Sequence, residues 1–127
     1  MLNVKTVNNI VDAFPIGILA QTEVLTPEEN DLLIAKVYNL RSVFGAGNTQ
    51  DWLSGKLSPD NCYRQTNIKE YLEFMPLVER ITQCVHELAR SYGSDDTYDC
   101  TEGWYNIYSS NRYQEYHVHP NSIFSAV

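Results

Sequence analysis

The sequence predicts a single α+β domain in which two helices precede a group of strands. Three observations support this fold class. Thr26 and Pro27 open a run with helical spacing, a second helical period starts at Pro76, and residues 104 to 108 are aromatic and strand-like. Helices followed by strands are typical of a domain whose helices cover one side of a sheet. The length of 127 residues fits one domain.

Composition and charge exclude several classes of protein. Hydrophobic residues make up 43% of the chain and aromatic residues 12%, which predicts a packed globular domain rather than a disordered one. The net charge is −7, from 16 acidic and 9 basic residues. Since binding to nucleic-acid phosphates needs clustered Lys and Arg, we expect no nucleic-acid partner.

Cysteine content and hydropathy predict a cytoplasmic protein. The three cysteines, Cys62, Cys84 and Cys100, are odd in number and form no Cys-x-x-Cys motif, so a disulfide framework is not expected. The first residues lack the apolar core of a signal peptide. The longest apolar stretch, around Phe14 to Ala20, is too short to span a bilayer, and no membrane partner is expected.

The first half of the chain predicts a strand at Ile16 to Leu25, followed by a helix at about 27 to 41. Thr26 is the expected N-cap, Pro27 the first helical residue, and Glu29 completes a capping box. Residues 42 to 67 predict an irregular stretch because they are rich in Gly, Ser and Asn. Trp52 and Leu53 are its expected anchors.

The second half predicts a short helix near 68 to 74 and then a longer helix from Pro76, whose apolar residues recur at steps of three and four. Gly93 is its expected end. Strands are predicted at 104 to 108, 112 to 119 and 122 to 127. The turn Ser109 to Asn111 and the pair Pro120-Asn121 separate them.

His117 and His119 form a His-x-His pair, the densest chemical signal in the chain. On a strand, residues i and i+2 face the same way about 7 Å apart, so two imidazoles can bind one metal ion. Neutral imidazole is a common ligand of iron, zinc and copper. The alternative is that both rings pack and hydrogen-bond within a sheet.

Other candidate residues give weaker signals. Glu115 shares the histidine face, but residues i and i+4 of a strand lie about 13 Å apart, so a solvated or supporting Glu115 is expected. His86 is expected to be an ordinary residue of a helix face, and the cysteines to be small buried hydrophobes. No phosphate loop, Ser-His-Asp order or paired carboxylates occur in the sequence, so no catalytic acid, base or nucleophile is assigned.

Asn106 and Tyr108 fall on one face of the predicted strand, together with Trp104. If this strand lies beside the histidines, these side chains line a pocket there. The alternative is that the aromatic rings pack across strands and that Asn106 has a turn role.

Residues 104 to 127 resemble a family of 2-oxoglutarate/Fe(II)-dependent oxygenases. The resemblance is carried by Trp104-Tyr105-Asn106-Ile107, by the run from His117 to Ser122 (His-Val-His-Pro-Asn-Ser), and by the closing residues Phe-Ser-Ala-Val. The early strand, the capped helix, the Trp-containing loop and the long helix also follow in a similar order.

The resemblance implies a double-stranded β-helix, or jelly roll, with helices supporting one sheet. Iron sits on a His-x-Asp/Glu…His triad in such enzymes, with open positions for 2-oxoglutarate and oxygen. His117 matches the first ligand, and His119 stands where a carboxylate is usual. It is therefore either a second nitrogen ligand or a sign that the carboxylate role is lost. Asn106, Tyr108 and Ser125 are the implied cosubstrate-binding residues.

The distal His of the triad and the Arg that binds 2-oxoglutarate lie well downstream in such enzymes. The resemblance therefore implies that residues 1 to 127 are the N-terminal portion of a jelly roll with an incomplete site. The implied reaction is decarboxylation of 2-oxoglutarate coupled to hydroxylation of a small-molecule or protein substrate.

Two alternatives remain open from the sequence. One is a non-catalytic, truncated jelly-roll module whose exposed strand edge pairs with another copy or another chain. The other is a cupin-like or zinc-binding His-x-His protein. The cupin pattern usually adds a Glu three or four residues later, where this chain has Ile123 and Phe124.

Overall fold

The computed structural model describes residues 9–13, 16–45, 60–61, 67–114, 117 and 119–127. Two helices dominate these residues, namely α1 at Pro27–Phe44 and α2 at Met75–Ser91. The remaining elements are short. They are the strands β1 (Asn9–Ala13), β2 (Ile16–Ala20), β3 (Asp60–Asn61) and β4 (Asn106–Ile107), and the 3-10 helices Ile68–Glu70 and Leu72–Phe74.

The predicted jelly roll is wrong for this part of the chain, which is mostly helical. The strands form two separate antiparallel pairs, β1 with β2 and β3 with β4, and the described residues contain no barrel. The predicted strand at 104 to 108 is reduced to Asn106–Ile107. The described residues of 112 to 119 and of 122 to 127 form no strand.

Both predicted breaks between these segments are present as turns. Asn111 and Asn121 take positive φ angles of 64° and 67°, which end an extended run. The Arg112 N–H donates to the carbonyl of Ser109 at 3.1 Å, which confirms the predicted turn there. Aromatic and β-branched residues favour strands only where a neighbouring strand can pair with them, so their presence alone did not create a sheet.

The start of α1 confirms the predicted capping box. The Glu29 N–H donates to Thr26 Oγ1 at 3.2 Å, and the Thr26 N–H donates to Glu29 Oε2 at 2.8 Å. Pro27 is in the first turn, as predicted. The helix runs three residues beyond its predicted end and stops at Gly45, whose φ of 79° suits glycine.

Helix α2 begins one residue before its predicted start. Its last residue is Ser91, and the predicted stop, Gly93, lies just beyond it with a φ of 80°. The Gly93 N–H donates to the carbonyl of Arg90 at 2.9 Å, and the Ser94 N–H donates to that of Ala89 at 3.1 Å. These bonds satisfy carbonyls at the helix end. The short helix predicted near 68 to 74 is split into the two 3-10 helices.

The N-terminal hairpin was only partly predicted. The strand expected at Ile16 to Leu25 ends at Ala20, and its partner strand Asn9–Ala13 was not predicted at all. A Cβ atom on Gly17 would lie 1.9 Å from the hydroxyl oxygen of Tyr92. The glycine therefore allows the end of α2 to approach the hairpin closely.

The core joins α1, the two 3-10 helices, α2 and β4. Its buried members are Leu40, Ile68, Phe74, Val78 and Tyr105. The predicted anchors Trp52 and Leu53 lie outside the described residues, as does Cys62. No helix in the described part of the chain is long and apolar enough to cross a membrane.

Candidate metal centre

The stretch around β4 is fixed to the core from one side. The Ile68 N–H donates to the carbonyl of Gly103 at 3.0 Å. A Cβ atom on Gly103 would lie 2.7 Å from two side-chain carbons of Ile68, so only glycine fits here without a shift. Tyr105 is buried, whereas Trp104 and Asn106 on either side of it are half-buried. The side chains of Trp104 and Asn106 are therefore only partly covered by the core and can contact residues outside it.

The imidazole rings of His117 and His119 lie side by side. Their centroids are 4.8 Å apart and the ring planes differ by 60°. His117 is exposed and His119 is half-buried. Neither residue is in a strand, so the predicted strand geometry is wrong, yet the predicted closeness of the two rings is confirmed. Glu115 lies outside the described residues.

The ring of His119 also stacks on the indole of Trp104. The two centroids are 5.4 Å apart and the planes differ by 22°. Such a contact covers a face of the imidazole ring. Because the nitrogen lone pair of an imidazole lies in the ring plane, stacking leaves the ring edge available to a metal ion.

A tight turn follows His119. The Ser122 N–H donates to the carbonyl of His119 at 3.3 Å, with Pro120 and Asn121 between them. Proline at the second position and a residue of positive φ at the third are typical of a type II turn. The predicted break at Pro120-Asn121 is confirmed, and it fixes the backbone on the C-terminal side of His119.

Asn106 and Tyr108 both donate hydrogen bonds to Gln114, a residue that the sequence did not single out. The Asn106 amide donates to Gln114 Oε1 at 3.4 Å, and the Tyr108 hydroxyl donates to the same oxygen at 3.0 Å. The face that carries Trp104, Asn106 and Tyr108 therefore does contact the segment that leads to the histidines. Gln114 belongs to no motif, so no sequence signal identified it. A cosubstrate role for Asn106 and Tyr108 stays a prediction.

Ser125 is exposed, and its predicted cosubstrate role also stays a prediction. The preceding residue, Phe124, packs edge-on against the ring of Tyr98 with the centroids 5.1 Å apart. This contact ties the end of the chain to the segment that follows α2.

His86 has a structural role, as predicted. Its Nε2 lies 2.9 Å from the backbone nitrogen of Tyr98 and 3.1 Å from the carbonyl oxygen of the same residue. These contacts connect α2 to the segment after it. His86 is therefore engaged with the backbone of Tyr98.

Cys84 and Cys100 are free thiols in environments that disfavour the thiolate. Burial, and secondly the charge of Glu87, raise the pKa of Cys84. Burial is also the main cause of the raised pKa of Cys100. Both residues are half-buried rather than buried, and the Cys84 thiol donates to Gln21 Oε1 at 2.6 Å, so the prediction of small buried hydrophobes is confirmed only in part.

The described residues bring two imidazole rings together at this point. Within that part of the chain, no group of three or more His, Cys, Asp or Glu side chains lies close enough to hold one. Comparison with known proteins found no matching family model, no similar curated protein and no similar solved structure. The family resemblance of residues 104 to 127 thus stays a prediction, and the case for function depends on the geometry around His117 and His119.

Proposed function

We propose that the chain binds a divalent transition metal through His117 and His119, as part of a 2-oxoglutarate- and Fe(II)-dependent oxygenase. The observation that carries the proposal is the 4.8 Å separation of the two imidazole rings. This pair lies within the residues that resemble the oxygenase family. The reaction class comes from that resemblance, and the pairing of the rings supports it.

The two imidazoles would supply part of the ligand set that a transition metal needs. Imidazole nitrogens bind such ions at about 2.0 to 2.1 Å, so two neighbouring rings can share one ion. Neutral imidazole suits Fe(II), and a facial triad adds one further ligand to two histidines. The described residues contain no third ligand, so the proposal requires one from outside them.

The neighbouring polar side chains suit a carboxylate-bearing cosubstrate. Tyr108 is 51% exposed and has a hydroxyl donor, and Asn106 has an amide donor. Both groups now donate to Gln114, and both can donate to a carboxylate instead. Bound iron would supply the activation of oxygen that couples 2-oxoglutarate decarboxylation to hydroxylation of a substrate.

A cytoplasmic setting belongs to this proposal. Cys84 and Cys100 are free thiols whose pKa is raised by burial. Free, unreactive cysteines are typical of reducing compartments.

A metal-binding protein without oxygenase chemistry is the second candidate. One observation favours it: the described residues hold the histidine pair but do not form the jelly roll of an oxygenase. Such a protein would bind zinc or another ion through the same two histidines without a use for 2-oxoglutarate.

Anaerobic titration with Fe(II) and 2-oxoglutarate distinguishes the two candidates. For the oxygenase, we expect the weak visible absorption band of an iron complex with 2-oxoglutarate. His117→Ala and His119→Ala should each abolish the band. His86→Gln is the matched control, because it removes a histidine whose Nε2 contacts the Tyr98 backbone. Metal binding without the band would favour the second candidate, and absence of metal binding would refute both.

A further inference from the structure

We propose that Trp104 is a positioning residue of this metal centre, holding the imidazole of His119 in the orientation from which it binds the ion. The inference rests on the proposed metal-binding function and adds a residue that touches no metal. It starts from the stacked rings of Trp104 and His119, which lie 5.4 Å apart with planes 22° from parallel.

The stack restrains one ligand without blocking it. A separation of 5.4 Å lies within the range of about 4.5 to 7 Å in which aromatic rings stack favourably with an offset. Turning the His119 ring about its bond to Cβ would break the overlap with the indole. The ring is therefore held in one plane. Its nitrogens lie on the ring edge, which a stacked contact does not cover.

Trp104 is itself held firmly. On one side, Gly103 accepts a hydrogen bond from the Ile68 N–H at 3.0 Å and has no space for a Cβ atom. On the other side, Tyr105 is buried in the core with 8% of its surface exposed. The indole thus projects from backbone that is anchored before and after it, which makes it a rigid surface for a stacked ring.

His119 is restrained a second time through its backbone. The turn at Pro120-Asn121 is closed by the Ser122 N–H, which donates to the carbonyl of His119. A ligand whose backbone and ring are both fixed loses little conformational entropy when it binds a metal. His117 is exposed, so we infer that His119 is the pre-organised ligand of the pair.

The stack also makes Trp104 a reporter of metal at His119. A paramagnetic ion bound to an imidazole in contact with an indole quenches its fluorescence. The chain has two tryptophans, so Trp52→Phe leaves Trp104 as the sole indole emitter. The quenching shows that the ion is bound at the imidazole stacked on Trp104, and the affinities of the Trp104 variants then show whether the stack positions that ring.

The experiment uses the full chain in the Trp52→Phe background and measures Co²⁺ binding by calorimetry and by Trp104 emission. We expect Co²⁺ to quench the emission. Trp104→Leu should weaken Co²⁺ binding about tenfold, the lower end of what loss of a ligand-orienting contact costs. Trp104→Phe, which restores an aromatic face, should recover most of that loss. Tyr113→Leu, an exposed aromatic residue nearby, is the control and should not change binding.

Each outcome decides the inference. If Co²⁺ binds but Trp104→Leu leaves its affinity unchanged, Trp104 has no positioning role, although the proposed metal site stands. If Co²⁺ does not bind the parent protein at all, the proposed function fails and the positioning role fails with it. The quenching measurement retains Trp104, so it can still overturn the inference if Trp104→Leu does not fold, and Trp104→Phe then tests the aromatic contact. Full emission from the Co²⁺-loaded protein would overturn the inference.

Discussion

Arg80 of α2 donates hydrogen bonds to both carboxylate oxygens of Glu29 in α1, with N–O distances of 2.7 and 3.1 Å. The same guanidinium also donates to the carbonyl of Val24. Glu29 meanwhile accepts the Thr26 N–H that closes the capping box. One carboxylate therefore both starts a helix and joins it to the other long helix.

This contact predicts a loss of stability in acid. The hydrogen bonds from Arg80, and secondly from the Thr26 N–H, lower the pKa of Glu29 from 4.5 to about 2. Because the folded pKa lies below the unfolded one, the stabilisation is complete above pH 4.5 and disappears as the pH falls toward 2. Thermal melts followed by circular dichroism should show Tm falling over this window.

Glu29→Gln should flatten that fall in Tm, since an amide does not titrate. Glu28→Gln is the matched control, because Glu28 is an exposed neighbour in the same helical turn. An equal effect of the two variants on the slope of Tm against pH would contradict the assignment to Glu29.

Two neighbouring apolar residues should differ sharply in their contribution to stability. Phe74 is 2% exposed in the core, whereas Leu72 is 84% exposed. Phe74→Ala should lower the free energy of unfolding by about 3 to 5 kcal/mol, since it leaves a cavity. Leu72→Ala should change it by less than about 0.5 kcal/mol. Urea unfolding measures both, and similar losses would refute the described core.

Gly103→Ala should destabilise the protein by about 1 to 3 kcal/mol, the usual cost of overpacking a core. The added methyl group would lie 2.7 Å from the buried side chain of Ile68. Since Gly103 anchors the backbone of Trp104, the same variant should also weaken Co²⁺ binding. Glu102→Ala changes the exposed preceding residue and should affect neither property. Normal stability of Gly103→Ala would contradict the close approach.

The thiol of Cys84 should react slowly with iodoacetamide near neutral pH. Burial and the charge of Glu87 raise its pKa, so little of the reactive thiolate forms. A protein with Cys62→Ser and Cys100→Ser isolates this thiol. Adding Glu87→Gln should speed alkylation modestly by removing the negative charge, and denaturation should speed it strongly. A native rate equal to the denatured rate would show that the thiol is not shielded.

Features predicted correctly from the sequence are those that a few adjacent residues determine. The capping box of Thr26 and Glu29, the helix end at Gly93 and the turn at Pro120-Asn121 each depend on a local hydrogen bond or a φ preference. The closeness of the His117 and His119 rings belongs here too, because side chains at positions i and i+2 of an extended backbone face the same way. The jelly roll, in contrast, was inferred from aromatic, strand-like composition and from resemblance, and the described residues do not form it.

What the tertiary structure decided is which distant residues meet. The shared contact of Asn106 and Tyr108 with Gln114 and the stack of Trp104 on His119 join residues that no short pattern connects. Strand formation depends on a partner strand, and stacking depends on how the core orients the backbone. The sequence therefore determined where the two histidines stand in the chain, whereas the packing of Gly103 against Ile68 and of Tyr105 in the core placed Trp104 against the ring of His119.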